Sequence, residues 1–286
     1  NAGTTKVVPQ EYLRNPLDFA ADMELQNVLN RQQAQAMEEI CEEWEGLDRP
    51  CLLYGVTGSG KTRVYMELIA HVLRQGRQVS VLIPEIALTY QVVMEFYGRF
   101  RDRVSVIHSR LSQGEKYDQM KRAKAGEISI MVGPRSALFT PFPRLGLIVI
   151  DEEQEQTYKS EQVPRYHARE TAIYRAQLEH AHVVLGSATP SLDTYYQCQQ
   201  GRYQKCVLAS RYHQRPMPQA VVVDMRQELK AGNRSILSRR LQAEMEQRLE
   251  KKVEPIVMAG SQNNKVPGLP LSKPNFKPGV GSGNFN

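Results

Sequence analysis

Two patterns alternate along this chain: short runs in which nearly every position is apolar, and longer stretches with apolar residues three and four apart. The short runs are Cys51-Leu52-Leu53-Tyr54, Gln78-Val79-Ser80-Val81-Leu82-Ile83, Val104-Ser105-Val106-Ile107, Ile128-Ser129-Ile130-Met131-Val132, Leu145-Gly146-Leu147-Ile148-Val149-Ile150 and Val183-Val184-Leu185. They are rich in β-branched residues and do not alternate with polar ones, which predicts strands covered on both faces, the parallel type. The longer stretches predict helices. The first starts at Asn30 as N-cap and sets Ala34, Met37, Ile40, Cys41 and Trp44 roughly on one face. The second carries Val64, Leu68, Ile69, Val72 and Leu73. Others are expected over 86–101, over 112–125 with Ser112 and Glu115 as a capping box, over 168–179, from Ser191 onward, and over 238–251. Two more strands are expected over 203–208 and 220–224. Strand–helix alternation of this kind predicts an α/β fold: a mostly parallel sheet with helices on both faces, binding ligands beyond the carboxyl ends of its strands.

The two ends depart from that pattern. Residues 1–27 read as a loosely structured lead-in punctuated by Pro9 and Pro16, and the start at Asn1 suggests a fragment boundary. Residues 260–286 are rich in Gly, Pro, Asn, Ser and Lys with little hydrophobic periodicity, and a disordered tail is expected. That leaves a lobe over 28–225 and, over 226–259, the start of a connection. Composition adds bounds. Of 286 residues, 41% are hydrophobic, enough for a real core. No apolar run reaches the ~20 residues of a membrane helix, so no membrane is expected as partner. The net charge of +6 is compatible with nucleic acid without requiring it. Cys41, Cys51, Cys198 and Cys206 lack paired metal-ligand spacing and read as reduced thiols of a cytoplasmic protein.

The chemistry concentrates in Gly55-Val56-Thr57-Gly58-Ser59-Gly60-Lys61-Thr62, set between an expected strand and an expected helix. Glycines let the backbone turn so that successive N–H groups face phosphate oxygens, and the helix N-terminus adds positive field. Lys61 would reach the β- and γ-phosphates of ATP, and Thr62 would offer its hydroxyl to Mg²⁺. Asp151 and Glu152 follow an apolar strand several strand–helix units later. Asp151 is placed to orient Mg²⁺ and Glu152 to polarise an attacking water. Gln32 and Gln33 open the first helix; each is either a solvated polar residue or an amide able to read both edges of adenine. Tyr158, Lys159, Arg165, Tyr166, His167 and Arg169 mix aromatic faces with cations, the combination that binds single strands of any sequence, or else cover the sheet as a structural loop. The residues alone leave three readings open: a nucleotide hydrolase acting on nucleic acid, a docking module that does not hydrolyse ATP, and a small P-loop kinase.

The order Gly-Val-Thr-Gly-Ser-Gly-Lys-Thr, Asp-Glu-Glu-Gln (Asp151 to Gln154) and Gly-Ser-Ala-Thr-Pro-Ser (Gly186 to Ser191) resembles superfamily 2 helicases, which have RecA-like P-loop NTPase lobes. More narrowly, Pro84-Glu85-Ile86-Ala87-Leu88-Thr89, Arg135-Ser136-Ala137-Leu138-Phe139 and Arg165-Tyr166-His167-Ala168-Arg169 resemble the primosomal replication-restart helicases of bacteria. The resemblance implies Gln33, with Gln32 the alternative, as adenine reader. It makes Gly55 to Thr62 the ATP loop, and Asp151 and Glu152 the Mg²⁺ and water-activating acids. Gln154, Ser187, Ala188 and Thr189 would couple hydrolysis to strand movement. Pro84, Glu85, Arg135 and Ser136 would face single-stranded DNA, and the segment from Tyr158 to Arg169 would sense it. For the parent protein the resemblance implies an ATP-dependent 3′–5′ DNA helicase, cytoplasmic and nucleoid-associated. It would remodel stalled forks and promote primosome assembly with single-stranded and forked DNA, primosome proteins and single-stranded DNA-binding protein as partners. Two positions depart from the pattern: Gln154, where histidine is common, and Pro134, where threonine is common. The family's second lobe and its zinc-binding cysteines are not found here. The chain therefore reads as a first motor lobe that binds ATP and Mg²⁺ weakly and hydrolyses poorly by itself.

Overall fold

Seven strands form one sheet in the computed structural model, which describes residues 29–85, 87–211 and 221–250. The expected lead-in and tail lie outside the described residues. The strands are β1 (Cys51–Gly55), β2 (Gln78–Leu82), β3 (Val104–Val106), β4 (Ile130–Gly133), β5 (Leu145–Ile150), β6 (His182–Ser187) and β7 (Gln204–Leu208). Their order across the sheet is β3-β4-β2-β5-β6-β1-β7, and every pair is parallel. The sheet is thus wholly rather than mostly parallel, and all carboxyl ends share one edge. β6 lies between β1 and β5. The turn after β1 and the ends of β5 and β6 are therefore neighbours, although the sequence separates them widely.

Helices cover both faces because side chains alternate along each strand. Leu53, Val81, Val149 and Val184 pack against α1 (Arg31–Glu45), α2 (Lys61–Arg74) and α3 (Tyr90–Phe100) through Ile40, Leu68, Ile69 and Phe96. Leu52, Leu82, Ile148, Ile150 and Leu185 pack on the other side with Ala123 of α4 (Gln113–Ala125) and with Ala168, Ala172 and Ala176 of α5 (Ala168–Glu179). Small residues on α5 let its backbone approach the sheet closely. Capping fixes the helix starts: Asn30 and Gln33 form one capping box, Ser112 and Glu115 another, and Ser191 caps α6 (Leu192–Gln199).

Two expectations change. The helix expected from residue 86 begins at Tyr90, because the Pro84 carbonyl accepts from the N–H groups of Ala87 and Leu88 in a turn, and Thr89 then caps α3. No strand forms over 221–224. Val222 is exposed, and Asp224 instead caps α7 (Met225–Lys230), its side chain accepting from the Arg226 N–H. The chain divides into two compact units between Pro216 and Met217; the second carries α7 and α8 (Arg239–Glu250).

At the amino edge of the sheet, Trp44 at the end of α1 stacks on His182 at the start of β6, with ring centroids 4.3 Å apart and planes 8° from parallel. His182 Nδ1 lies 2.5 Å from an Asp48 carboxylate oxygen. Burial pushes the imidazole below its ordinary value, against the pull of Asp48. No helix of the described residues is long and apolar enough to cross a membrane.

Candidate active site at the carboxyl edge of the sheet

The glycine loop leaves β1 and turns into α2. Gly58 and Gly60 adopt φ of +80° and +82°, a conformation that disfavours any side chain. A Cβ on Gly60 would also lie 2.3 Å from Gln33 Nε2. Gln33 is fully buried beneath the loop: its Nε2 donates to the Ser59 carbonyl at 2.9 Å and its Oε1 accepts from the Asn30 N–H at 3.0 Å. Each end of the amide is thus tied to the backbone, and Gln33 braces the loop. Gln32 is half-buried and accepts from the N–H and hydroxyl of Ser210. Lys61 is buried, its Nζ donating to the Gly55 carbonyl at 3.2 Å and lying 3.8 Å from Glu152 Oε1. The buried Ser59 hydroxyl has no hydrogen-bond partner. Val56 and Thr57 complete the turn, with the Val56 carbonyl accepting from the Ser59 N–H.

Opposite the loop, Asp151 follows β5. Its Oδ1 accepts from the Tyr65 hydroxyl at 3.0 Å, and its N–H donates to the Leu82 carbonyl. Burial, then the Glu152 carboxylate, raises the Asp151 carboxyl above its usual range, while Lys61 and Tyr65 oppose the shift. Glu152 is in the left-handed region at φ +48°, a strain of about 1–3 kcal/mol for a non-glycine residue. Gln154 helps hold it there, donating to Glu152 Oε2 at 2.9 Å. Gln154 Oε1 in turn accepts from the Ser187 hydroxyl at 2.6 Å, and Ser187 Oγ accepts from the Thr189 N–H at 2.9 Å. An unbroken path of hydrogen bonds therefore runs from Glu152 to residues 187–189, with Ala188 inside it. Glutamine suits this position because one amide both donates and accepts.

Thr62, half-buried on the first turn of α2, and Asp151 offer hard oxygen donors of the kind Mg²⁺ takes together with phosphate oxygens and waters. Among the described residues no three His, Cys, Asp or Glu side chains converge as a metal cluster. That cluster of donors, the glycine cradle and the unpartnered Ser59 hydroxyl fit a nucleotide.

Three residues here, Glu153, Tyr65 and Gly186, carry roles that the sequence did not assign them individually. Glu153 is fully buried and accepts from the Ser191 N–H and hydroxyl, the Thr194 hydroxyl and the Arg169 guanidinium. Tyr65 and Gly186 flank Asp151. A signal existed for Gly186, since a glycine inside an apolar strand marks a close approach.

The residues expected to face DNA divide. Lys159, Arg165, Tyr166 and His167 line an open basin of ≈ 680 Å³ with Ser160, Glu161 and Glu170. Tyr166 packs edge-on against Phe139 at 5.2 Å, and Arg135 donates to the carbonyls of Thr157 and Lys159, so it anchors the basin's rim. Ser136 is exposed beside it. His167 caps α5, and burial lowers its imidazole below the ordinary value. Pro84 and Glu85 follow β2; Glu85 accepts from the Ser109 N–H at 3.0 Å, which holds its carboxyl below the usual range. Two expectations are corrected. Tyr158 is 1% exposed and its hydroxyl bridges the carbonyls of Leu82 and Asp151, so its ring is not available for stacking. Arg169 is buried in the Glu153 network, and its second guanidinium nitrogen lies 3.6 Å from the exposed Asp193 carboxylate, so little of it is free to meet DNA. The four cysteines are free thiols, with Cys51 and Cys206 buried side by side.

A glycine loop entering a helix, with an acidic pair two strands away across a parallel sheet, defines a RecA-like P-loop lobe. The chain belongs to the DEAD/DEAH box helicase family, whose model matches residues 30–197. Within that family it is similar to replication restart protein PriA, as its motifs implied. It is 48% identical to PriA of Bacillus subtilis (strain 168) over 224 residues, covering 78% of this chain and 28% of that protein. It is 49% identical to PriA of Synechocystis over 198 residues, covering 67% and 24%. RecG bound to a three-way DNA junction is a similar solved structure, at 22% identity and a TM-score of 0.47, covering 65% of this chain and 24% of that one. The chain spans about a quarter of the length of the curated relatives just described.

Proposed function

We propose that this chain is the ATP-binding first motor lobe of a cytoplasmic DNA helicase of replication restart. The parent uses ATP hydrolysis to move 3′–5′ on single-stranded and forked DNA and to promote primosome assembly, together with primosome proteins and single-stranded DNA-binding protein. The observation that carries the reading is the path Glu152–Gln154–Ser187–Thr189, which ties the acid beside the glycine loop to the start of the next segment. A kinase lobe has no need of that link.

Mg²⁺–ATP, when bound, supplies a polarised phosphoanhydride. The glycine loop and the α2 N-terminus bind its phosphates, Lys61 contributes a point charge, and Thr62 and Asp151 hold the cation. Glu152 positions water and takes its proton. Gln154 fixes Glu152 and reports its position to Ser187. Lys159, Arg165, Tyr166 and His167 bind the strand, the cations on phosphates and the rings on bases.

The test is phosphate release from Mg²⁺–ATP, with and without single-stranded DNA, on this chain and on Lys61→Ala, together with nucleotide binding by each. The expected result is nucleotide binding that Lys61→Ala weakens, with little or no release from the isolated lobe. Transfer of phosphate to a small acceptor, or nucleotide binding indifferent to Lys61→Ala, would overturn the proposal.

A further inference from the structure

Tyr65 is a buried phenol, 1% exposed, on the same face of α2 as Lys61 and one turn on. Its hydroxyl donates to Asp151 Oδ1 at 3.0 Å. The same hydroxyl occupies the space beside Gly186 in β6: a Cβ built there would lie 1.4 Å from the phenol oxygen and 2.7 Å from Cζ. That Cβ would also lie 3.1 Å from Asp151 Oδ1. The gap at Gly186 is thus filled by the end of the Tyr65 side chain, and no other residue fits there without displacing it. The arrangement follows from topology, because β6 separates β1 from β5 and anything joining α2 to Asp151 must cross it.

We infer that Tyr65 is a positioning residue for Asp151, with Gly186 as its matched gap: it holds one carboxylate oxygen so that the other faces the divalent cation of a bound nucleotide. An aspartate with both oxygens free rotates about its terminal torsion and samples cation geometries at random. A donated hydrogen bond to one oxygen removes that freedom, and a neutral phenol does so without competing with the cation by charge. The inference rests on the nucleotide-site reading above.

Tyr65→Phe removes the oxygen and keeps the ring. Two quantities are measured on this chain: binding of ADP without metal, and binding of Mn²⁺ in the presence of ADP, followed by the electron paramagnetic resonance of the free ion. Metal-free ADP binding is expected to stay at the wild-type level, and Mn²⁺ affinity to fall by roughly tenfold or more, as for other groups that orient a metal ligand. In an Asp151→Asn background the same substitution is expected to change Mn²⁺ affinity no further, which a purely structural role does not predict. Wild-type Mn²⁺ affinity in Tyr65→Phe, with ADP binding intact, overturns the role of Tyr65 and leaves the nucleotide site standing. Failure of the wild-type chain to bind ADP overturns the nucleotide reading and this inference with it.

Discussion

Arg169→Met is the substitution that most sharply separates a structural arginine from a DNA-binding one. Arg169 and Glu153 form an ion pair at 2.8 Å, with side-chain exposures of 8% and 0%. The guanidinium also donates to the hydroxyls of Ser191 at 2.6 Å and Thr194 at 3.0 Å. These contacts join the first turns of α5 and α6 to the residues that follow β5. Removing the arginine leaves a fully buried carboxylate without its counter-charge. Breaking a buried pair on one side costs about 3–5 kcal/mol. Glu153 keeps three donors, the Ser191 N–H and hydroxyl and the Thr194 hydroxyl, so the lower part of that range applies, ~3–4 kcal/mol. At roughly 2–4 °C per kcal/mol for a unit of this size, the melting temperature should fall by about 6–16 °C. The assay is urea and thermal unfolding of Arg169→Met, Glu153→Leu and the double variant. The double variant should be more stable than the sum of the singles implies, because neither charge is then left unpaired. Single-stranded DNA affinity of the folded protein should change little. A loss under about 1 kcal/mol, or a loss of DNA affinity without loss of stability, would refute the reasoning and return Arg169 to the surface role its sequence context suggests.

Three further outcomes follow from the same geometry. Gln154→Leu cuts the path from Glu152 to Ser187; the turnover of ATP by the DNA-bound parent should drop by roughly 10–100-fold with little change in KM for ATP, measured by steady-state phosphate release. Tyr158→Phe leaves the Leu82 and Asp151 carbonyls without the phenol and should cost ~1–3 kcal/mol in urea unfolding while single-stranded DNA affinity, read by fluorescence anisotropy, is unchanged. His182 is lowered by burial, with Asp48 opposing and Arg77 and His71 adding to the shift, so the folded state binds fewer protons than the unfolded one. Its contribution to stability is therefore full above the ordinary histidine value of about 6.5 and is lost as pH falls from there through the lowered one. That part of the pH slope should vanish in His182→Gln; a slope unchanged by the substitution assigns it to other groups.

The sequence carried much of this fold because the strands are buried on both faces and show it as unbroken apolar runs, from Leu145 to Ile150 most plainly. It carried the starts of α1 and α4 because their caps, Asn30 and Ser112 with Glu115, are local. It misjudged the start of α3, where Ala87 and Leu88 have helix-forming side chains but donate to the Pro84 carbonyl in a turn. It misjudged Val221 to Asp224, where β-branched residues suggest a strand but the Asp224 side chain is spent on a helix start. At the site, the glycine loop and acidic pair were legible as contiguous words. The roles of Tyr65, Glu153 and Gly186 were not, because their meaning lies in contacts across the sheet. Tyr158 and Arg169 were left between a DNA-facing and a sheet-covering role because a loop's sequence does not say which residues point inward.

Trp44 is the only tryptophan in the chain, and its indole lies flat on the imidazole of His182. An excited indole loses its energy readily to a stacked imidazolium and less so to a neutral ring, so emission should dim as His182 takes up a proton. The helix that carries Trp44 near its end carries Gln33, beneath the glycine loop, in its first turn, about 16 Å away at 1.5 Å per residue over a separation of 11 residues. The lobe thus carries a label-free optical gauge at one end of a rod whose other end touches the loop. A shift in emission on adding nucleotide would show whether α1 moves as one body when the loop engages its ligand.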